Sequence, residues 1–323
     1  MAVRYLIYFQ YCGTNYRGKS NLPRKAQETA EFWNLEGKKS DGAAQQGHQY
    51  LGVMKTPSDQ LMTGVQNYLE DALQKLRPIN KVNISISSRT DSGVHAFCNS
   101  AHFDLERKEG KSPFSEELLV NALNFHLKPE PISILKAFRV SDIFHARHHA
   151  RSRTYTYRLV TGCNHHSHLP VFERNLCWPV SRRPLNMDTM QEAARMLLGT
   201  HDFSTFRSLN SETPFKSPLK TLLQANLTPG LSLTMQQDHH RHLEFWELTF
   251  RSQSFLYKQV RRMTGALVAV GQGKLMPRHI AELLEVQDSR AFPRNFIAPP
   301  NGLFLKNVEY DEKDLQMQEN IIQ

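Results

Sequence analysis

Hydrophobic positions along the chain recur at two periods, and the switches between them outline the fold. Residues 3–10 are dense in Tyr, Ile and Phe and predict an opening strand. Residues 11–18 are polar with a glycine near each end and predict a loop. Leu61, Val65, Leu69, Ala72, Leu73 and Leu76 then recur at helical spacing until Pro78 stops them. Residues 82–87 and 101–105 alternate as strands, with Ala101, Phe103 and Leu105 on one face. A second helix is predicted from Ser115, with Glu116 and Glu117 in its first turn, where carboxylates suit the helix dipole. Its apolar face is Leu118, Leu119, Ala122, Leu123 and Leu127. A strand over 132–140 completes the order β-α-β-β-α-β, a split βαβ unit.

The order repeats more loosely afterwards. A strand over 154–160 puts Tyr155, Tyr157 and Leu159 on one face. A helix over 188–198 ends at Gly199, a suitable C′ residue. Strands are predicted over 219–227 and 243–251. A long helix over 254–270 carries the stripe Leu256, Val260, Met263, Leu267 and Val270. Another starts at Pro277, with Ile280, Leu283 and Leu284 inward, and a strand over 303–310 closes the series. Two βαββαβ halves, residues 1–145 and 146–310, predict an α+β protein of pseudo-twofold design whose sheets join across a cleft. Residues 311–323 read as a frayed polar tail. Residues 19–59, rich in Lys, Gln, Gly and Ser without apolar periodicity, read as a solvated, disordered insertion in the first half.

Composition adds a partner class. The 323 residues carry a net charge of +9. That favours a polyanion, nucleic acid first and an anionic membrane surface second. The longest clean apolar run, 266–270, is too short to span a bilayer. Four scattered cysteines without a Cys-x-x-Cys pair read as reduced intracellular thiols. No secretory signal is visible, and the first strand begins at once with almost no room for a cleavable transit peptide before it. A cytoplasmic location is expected, with a mitochondrial one left open by an internal signal.

The basic charge is concentrated. Between 139 and 158 lie Arg139, Arg147, Arg151, Arg153 and Arg158 with His145, His148 and His149, against the single acid Asp142. The run opens the strand bearing Tyr155 and Tyr157. Guanidinium groups beside aromatic rings suit phosphates and unstacked bases; a solvated basic face over core tyrosines is the plainer reading. Lys258, Arg261 and Arg262 form a second cluster. Arg261, next to the inward Val260, either reaches a cleft or snorkels at the surface. The three histidine groups, 145–149, 165–168 and 239–242, lack metal-ligand spacing, so no metal is expected.

One stretch carries chemistry: Ser87-Ser88-Arg89-Thr90-Asp91-Ser92-Gly93-Val94-His95-Ala96. Asp-Ser-Gly is also a common turn, and Arg89 with Asp91 could be an ordinary surface pair worth under about 1 kcal/mol. An aspartic hydrolase would need a second carboxylate to share a proton, and the chain has no second Asp-Thr-Gly or Asp-Ser-Gly.

Outside 19–59 the chain resembles the TruA-type tRNA pseudouridine synthase family. Six motifs in order carry the resemblance: Arg89 through Ala96; Phe144-His145-Ala146-Arg147; Arg153-Thr154-Tyr155-Thr156-Tyr157; His201 through Arg207; Phe255 through Gly265; and Ala298 through Leu305. The resemblance implies two fused ferredoxin-like halves with a central antiparallel or mixed sheet and an RNA-binding cleft. It implies cofactor-free isomerisation of uridine to pseudouridine, in the anticodon-stem region of tRNA or in another RNA, by a monomer or homodimer independent of membranes. It carries the nucleophile onto Asp91, its partner arginine onto Arg261 and the base-stacking ring onto Tyr155. RNA contact or support of the site falls to Arg89, His95, Arg147 and Arg207. The chain departs from the family where Gly18 leads into the insertion rather than into the first helix. A non-catalytic RNA- or ribosome-binding protein of the same fold is the alternative.

Overall fold

The structure, a computed structural model, describes residues 2–16, 53–55, 64–181, 183–210, 213–232 and 238–315. Most of the expected insertion 19–59, Leu61 and the tail 316–323 lie outside the described residues.

The first unit runs β1 (Val3–Tyr11), α1 (Val65–Lys75), β2 (Ser85–Ile86), β3 (His95–Leu105), α2 (Glu116–Leu127) and β4 (Ile132–Arg139). Helix α2 starts where the Ser115 hydroxyl accepts a 3.3 Å hydrogen bond from the Leu118 amide. The second unit runs β5 (Ser152–Thr161), β6 (Trp178–Ser181), α3 (Met187–Met196), β7 (Gly199–Asp202) and β8 (Leu219–Pro229). It continues through β9 (Glu244–Ser252), α4 (Gln259–Gly271), α5 (Arg278–Val286) and β10 (Leu303–Glu309). A single helical turn, α6 (Glu312–Leu315), follows.

The ten strands among the described residues join one open, mostly antiparallel sheet, ordered β4-β1-β3-β10-β5-β9-β8-β7, with β2 on β3 and β6 on β5. Each unit contributes the same split βαβ order: β4-β1-β3-β2 in the first and β10-β5-β9-β8 in the second. They meet where β10 lies parallel to β3, pairing Phe304 with His95 and Leu305 with Ala96. The α+β expectation holds, but the halves are related in tandem rather than by a twofold. Strand β3 is antiparallel to β1 and parallel to β10, which is antiparallel to β5, so β1 and β5 run in the same sense. A twofold axis would reverse either strand sense or strand order, and neither is reversed.

The core lies between the sheet and its helices. Tyr5, Ile7 and Phe9 of β1 and Ala101, Phe103 and Leu105 of β3 pack with Leu69, Leu73, Leu119 and Leu123. Helix α4 is buried on nearly all sides; Arg261 is its one residue outside the buried set. The expected stripe is buried, but so are its flanks, because a loop before β10 covers the helix. A Cβ at Gly265 would meet the Phe296 carbonyl oxygen at 1.4 Å, so only glycine admits that loop.

Several boundaries differ from expectation. Helix α4 starts at Gln259, five residues late, because Lys258 adopts a left-handed conformation, φ +59°. Of the predicted strand 82–87 only Ser85–Ile86 pairs with β3. Leu118 is half exposed, and Leu119, Leu123 and Leu127 form the inward stripe at a spacing of four. Gly199 opens β7 instead of capping α3, whose C-cap is Leu197. Val53, assigned to the solvated insertion, is fully buried, and its carbonyl accepts from the Gln66 amide at 2.9 Å, satisfying the start of α1. The start of the expected frayed tail is helical in α6, with Leu315 packed against the cluster that holds Leu6, Tyr8 and Phe144.

Candidate active site

The Asp91 turn is built by its neighbours. Gly93 takes φ +79°, and the Val94 amide donates to the Asp91 carbonyl at 3.1 Å, closing a tight turn between β2 and β3. On one side of Asp91, the Thr90 hydroxyl shares a 2.8 Å hydrogen bond with the Tyr11 phenol. Burial pushes that phenol up to about 12, so it keeps its proton. On the other side, the Ser92 hydroxyl donates to the Tyr16 carbonyl at 3.1 Å. Asn99 of β3 donates to the Ser88 carbonyl at 3.0 Å, tying the incoming chain to the outgoing strand. The carboxylate is held from both flanks and presented at the end of β3, inside the sheet's strand order.

Its partner comes from the other half. Arg261, in the first turn of α4, donates from Nη1 to Asp91 Oδ2 at 3.0 Å and from Nε to the Ala298 carbonyl at 2.8 Å. The loop that Gly265 admits therefore supplies the carbonyl that orients the guanidinium. Tyr157 fixes the same loop by donating to the Pro299 carbonyl at 2.6 Å. The pair is partly shielded, with the Arg261 side chain 13% and the Asp91 side chain 21% exposed.

Both groups line a cavity of about 620 Å³. Tyr155 of β5 lines it too, 8% exposed and set edge-on against Phe255, with ring centroids 5.2 Å apart. Burial, with a smaller contribution from Tyr11, raises the Tyr155 phenol well above its ordinary range, so it remains neutral. Among the described residues, seven lysines and arginines line the cavity against one carboxylate, Asp91. Arg89 and Arg147 are among them. Such a surplus of positive charge suits a polyanion that brings its own negative charge into the site. Among the described residues no group of three or more His, Cys, Asp or Glu side chains is arranged to hold a metal.

Two expected site residues lie elsewhere. His95 is 1% exposed and borders a separate, mainly apolar cavity of about 540 Å³. Its Nδ1 accepts from the Gly13 amide at 3.1 Å, which leaves the proton on Nε2 to reach the Asn175 carbonyl at 2.9 Å. It stacks on Phe304, at 4.6 Å between centroids. Although four residues from Asp91, it opens β3 and pins the glycine loop to the second half. Arg207 does not line the cavity either. It donates to the Lys216 carbonyl at 3.2 Å and so supports a loop whose Asn210 and Lys216 do line it.

The structure also brings in residues that sequence reasoning did not single out as site residues. Lys258, expected on the helix, sits just before it; burial lowers its pKa, and Arg261 lowers it further. Tyr257 joins Phe255 in the wall, and Met54 and Lys55 enter from the end of the insertion. The pattern Phe255-x-Tyr257-Lys258 before a helix was the available signal for the first two. Nothing in the sequence pattern marked Met54 or Lys55.

Comparison with known proteins gives a consistent result. A family model described as tRNA pseudouridine synthase matches residues 193–311. The chain is 61% identical over 269 residues to tRNA pseudouridine synthase-like 1 of Xenopus laevis, covering 83% of this chain and 90% of that one. It is 47% identical over 308 residues to the Homo sapiens protein of that name, covering 95% and 90%. It is 37% identical over 265 residues to tRNA pseudouridine synthase A of Hyphomonas neptunium, covering 82% and 94%.

Proposed function

Because the chain belongs to the tRNA pseudouridine synthase family, we propose that it isomerises uridine to pseudouridine in tRNA, with Asp91 as nucleophile. The observation that carries this reading is the 3.0 Å contact between Asp91 and Arg261 inside a cavity that Tyr155, Phe255, Tyr257 and several further cations also line. On this reading residues 1–145 supply the nucleophile and residues 146–310 supply Arg261 and the stacking ring.

In the overall reaction the bond from the ribose to ring nitrogen 1 breaks and a bond to carbon 5 forms. The carbon 5 proton is lost and the nitrogen is protonated. Nothing is oxidised, and no cofactor is required. The base must first leave its stack, at a cost of a few kcal/mol. Stacking on Tyr155 returns about 1–3 kcal/mol, which roughly offsets extrusion without driving it. Phosphate contacts from Arg89, Arg147 and the other rim cations supply the difference, so binding is strongly salt-dependent. Asp91 then attacks the sugar or the base as a carboxylate. Arg261 matters once RNA covers the cavity and displaces water, when a fixed guanidinium holds the carboxylate aimed.

The family resemblance points to the anticodon-stem region as target, and a tRNA substrate implies an intracellular site of action. No helix among the described residues is long and apolar enough to cross a membrane. Pseudouridine mapping in RNA from cells with and without the protein tests the assignment. Loss of one or more tRNA pseudouridines is expected. Unchanged maps together with intact RNA binding would favour a non-catalytic binder.

A further inference from the structure

We propose that Arg153 is a positioning residue that holds three separate walls of the active-site cavity in register. It is the second residue of β5, two before Tyr155 and on the same face, and is 8% exposed. Its Nη1 donates to the Gln253 carbonyl at 2.7 Å. Its Nη2 donates to the Arg147 carbonyl at 2.8 Å, to the Ser87 hydroxyl at 3.1 Å and, more weakly, to the Ser87 carbonyl at 3.4 Å. Its Nε faces the Ser88 hydroxyl at 3.4 Å.

Each anchored segment leads to a residue assigned a role above. Ser87 and Ser88 precede Arg89 and Asp91. Arg147 is itself a rim cation. Gln253 begins the stretch through Phe255, Tyr257 and Lys258 to Arg261. One planar fork therefore spans the nucleophile's strand, the basic loop and the approach to α4. Only a guanidinium offers five donors in a fixed plane.

A purely structural role explains this less well. All the acceptors are neutral, no carboxylate among the described residues shifts the guanidinium, and burial lowers its pKa. Buried charges are seldom the most stable way to fill a core. A cation here gains from geometry rather than from charge pairing: its donors converge on carbonyls and hydroxyls of three chain segments.

The inference rests on the function proposed above, and one set of assays separates the two. Tritium release from tRNA labelled at uracil carbon 5 gives kcat and KM, filter binding across salt gives the phosphate contribution, and thermal melting reports the fold. Arg153→Lys keeps the charge but loses the fork. It is expected to lower kcat about ten- to a hundredfold while KM stays within about threefold. Its plot of log Kd against log salt keeps the wild-type slope, because a buried guanidinium releases no counterion. Ser87→Ala removes one acceptor, folds more safely and is expected to lower kcat about two- to fivefold. The double variant falls by less than the product of the two effects. If the lysine variant does not fold, Ser87→Ala decides alone.

Unchanged kcat in the folded variants overturns the proposal. So does a salt slope reduced by about one, which would make Arg153 a direct phosphate ligand. A wild type that releases no tritium overturns the function instead; an active wild type matched by Arg153→Lys overturns only this inference.

Discussion

Arg261 and Asp91 are 170 residues apart in sequence and 3.0 Å apart in space, one on helix α4 of the second half and the other in the turn before β3 of the first. The guanidinium is committed in two directions at once, to the carboxylate through Nη1 and to the Ala298 carbonyl through Nε. Asp91 is thus aimed by a group whose own orientation depends on the loop before β10.

Arg261→Lys tests whether orientation or charge matters. A lysine keeps the charge but cannot hold both partners in one plane. Losing a hydrogen bond to a charged group costs about 1.5–3 kcal/mol, so kcat is expected to fall roughly ten- to a hundredfold. Affinity for tRNA should stay within about threefold. Full activity in the lysine variant would mean that charge alone suffices.

Gly265→Ala should act on the same pair from a distance. The new methyl would overlap the Phe296 carbonyl oxygen and push the 296–298 loop off α4. Overpacking typically costs about 1–3 kcal/mol. A lower melting temperature is expected, with an activity loss larger than the unfolded fraction explains. A variant as stable and as active as the wild type would remove the loop from the account.

The salt dependence of tRNA binding separates rim cations from supporting ones. Arg89→Ala and Arg147→Ala are each expected to weaken binding and to reduce the slope of log Kd against log salt by about one. Arg207→Ala should leave the slope unchanged, because that side chain supports the Lys216 loop without lining the cavity. Equal slopes for all three variants would contradict this division.

Acid should destabilise the fold through His102. Burial lowers its pKa to about 4, helped by His145, Arg4 and His149 and opposed by Asp104. Its Nδ1 accepts from the Ala146 amide at 3.1 Å, which requires the neutral ring. Between about pH 6.5 and 4 the unfolded chain binds a proton at this site that the folded one refuses, so stability falls as pH falls. The full effect is about 3 kcal/mol at most. Urea midpoints at pH 7.5 and 5 should differ in the wild type and differ less in His102→Asn. An undiminished difference would assign the acid sensitivity to other groups.

The parts of this fold legible in the sequence were those set by local periodicity. The inward residues of α1, the Ser115 cap and the two βαββαβ orders follow from spacing and capping chemistry that do not depend on distant contacts. The tandem join was not legible, because it depends on which edge of β3 receives β10. Leu256 fits the α4 stripe, which hid the break at Lys258. Asp91, Arg261, Tyr155, Arg89 and Arg147 were placed in one cavity as the motifs suggested. His95 was not: proximity to Asp91 in the chain hid that it is the first residue of β3, where its ring turns away from the turn. Arg153 read as one phosphate-binding arginine in a basic run, and only burial and its hydrogen-bond partners distinguish it.

The central claim is that Asp91 is the nucleophile and not merely a turn residue. Asp91→Asn keeps the size of the side chain and can still accept a hydrogen bond from Arg261, but it removes the charge. Wild type and variant are compared by tritium release from tRNA labelled at uracil carbon 5, with filter binding on the same tRNA. The account predicts release by the wild type, none above background by Asp91→Asn, and a Kd within about threefold. Substantial tritium release by Asp91→Asn would contradict it.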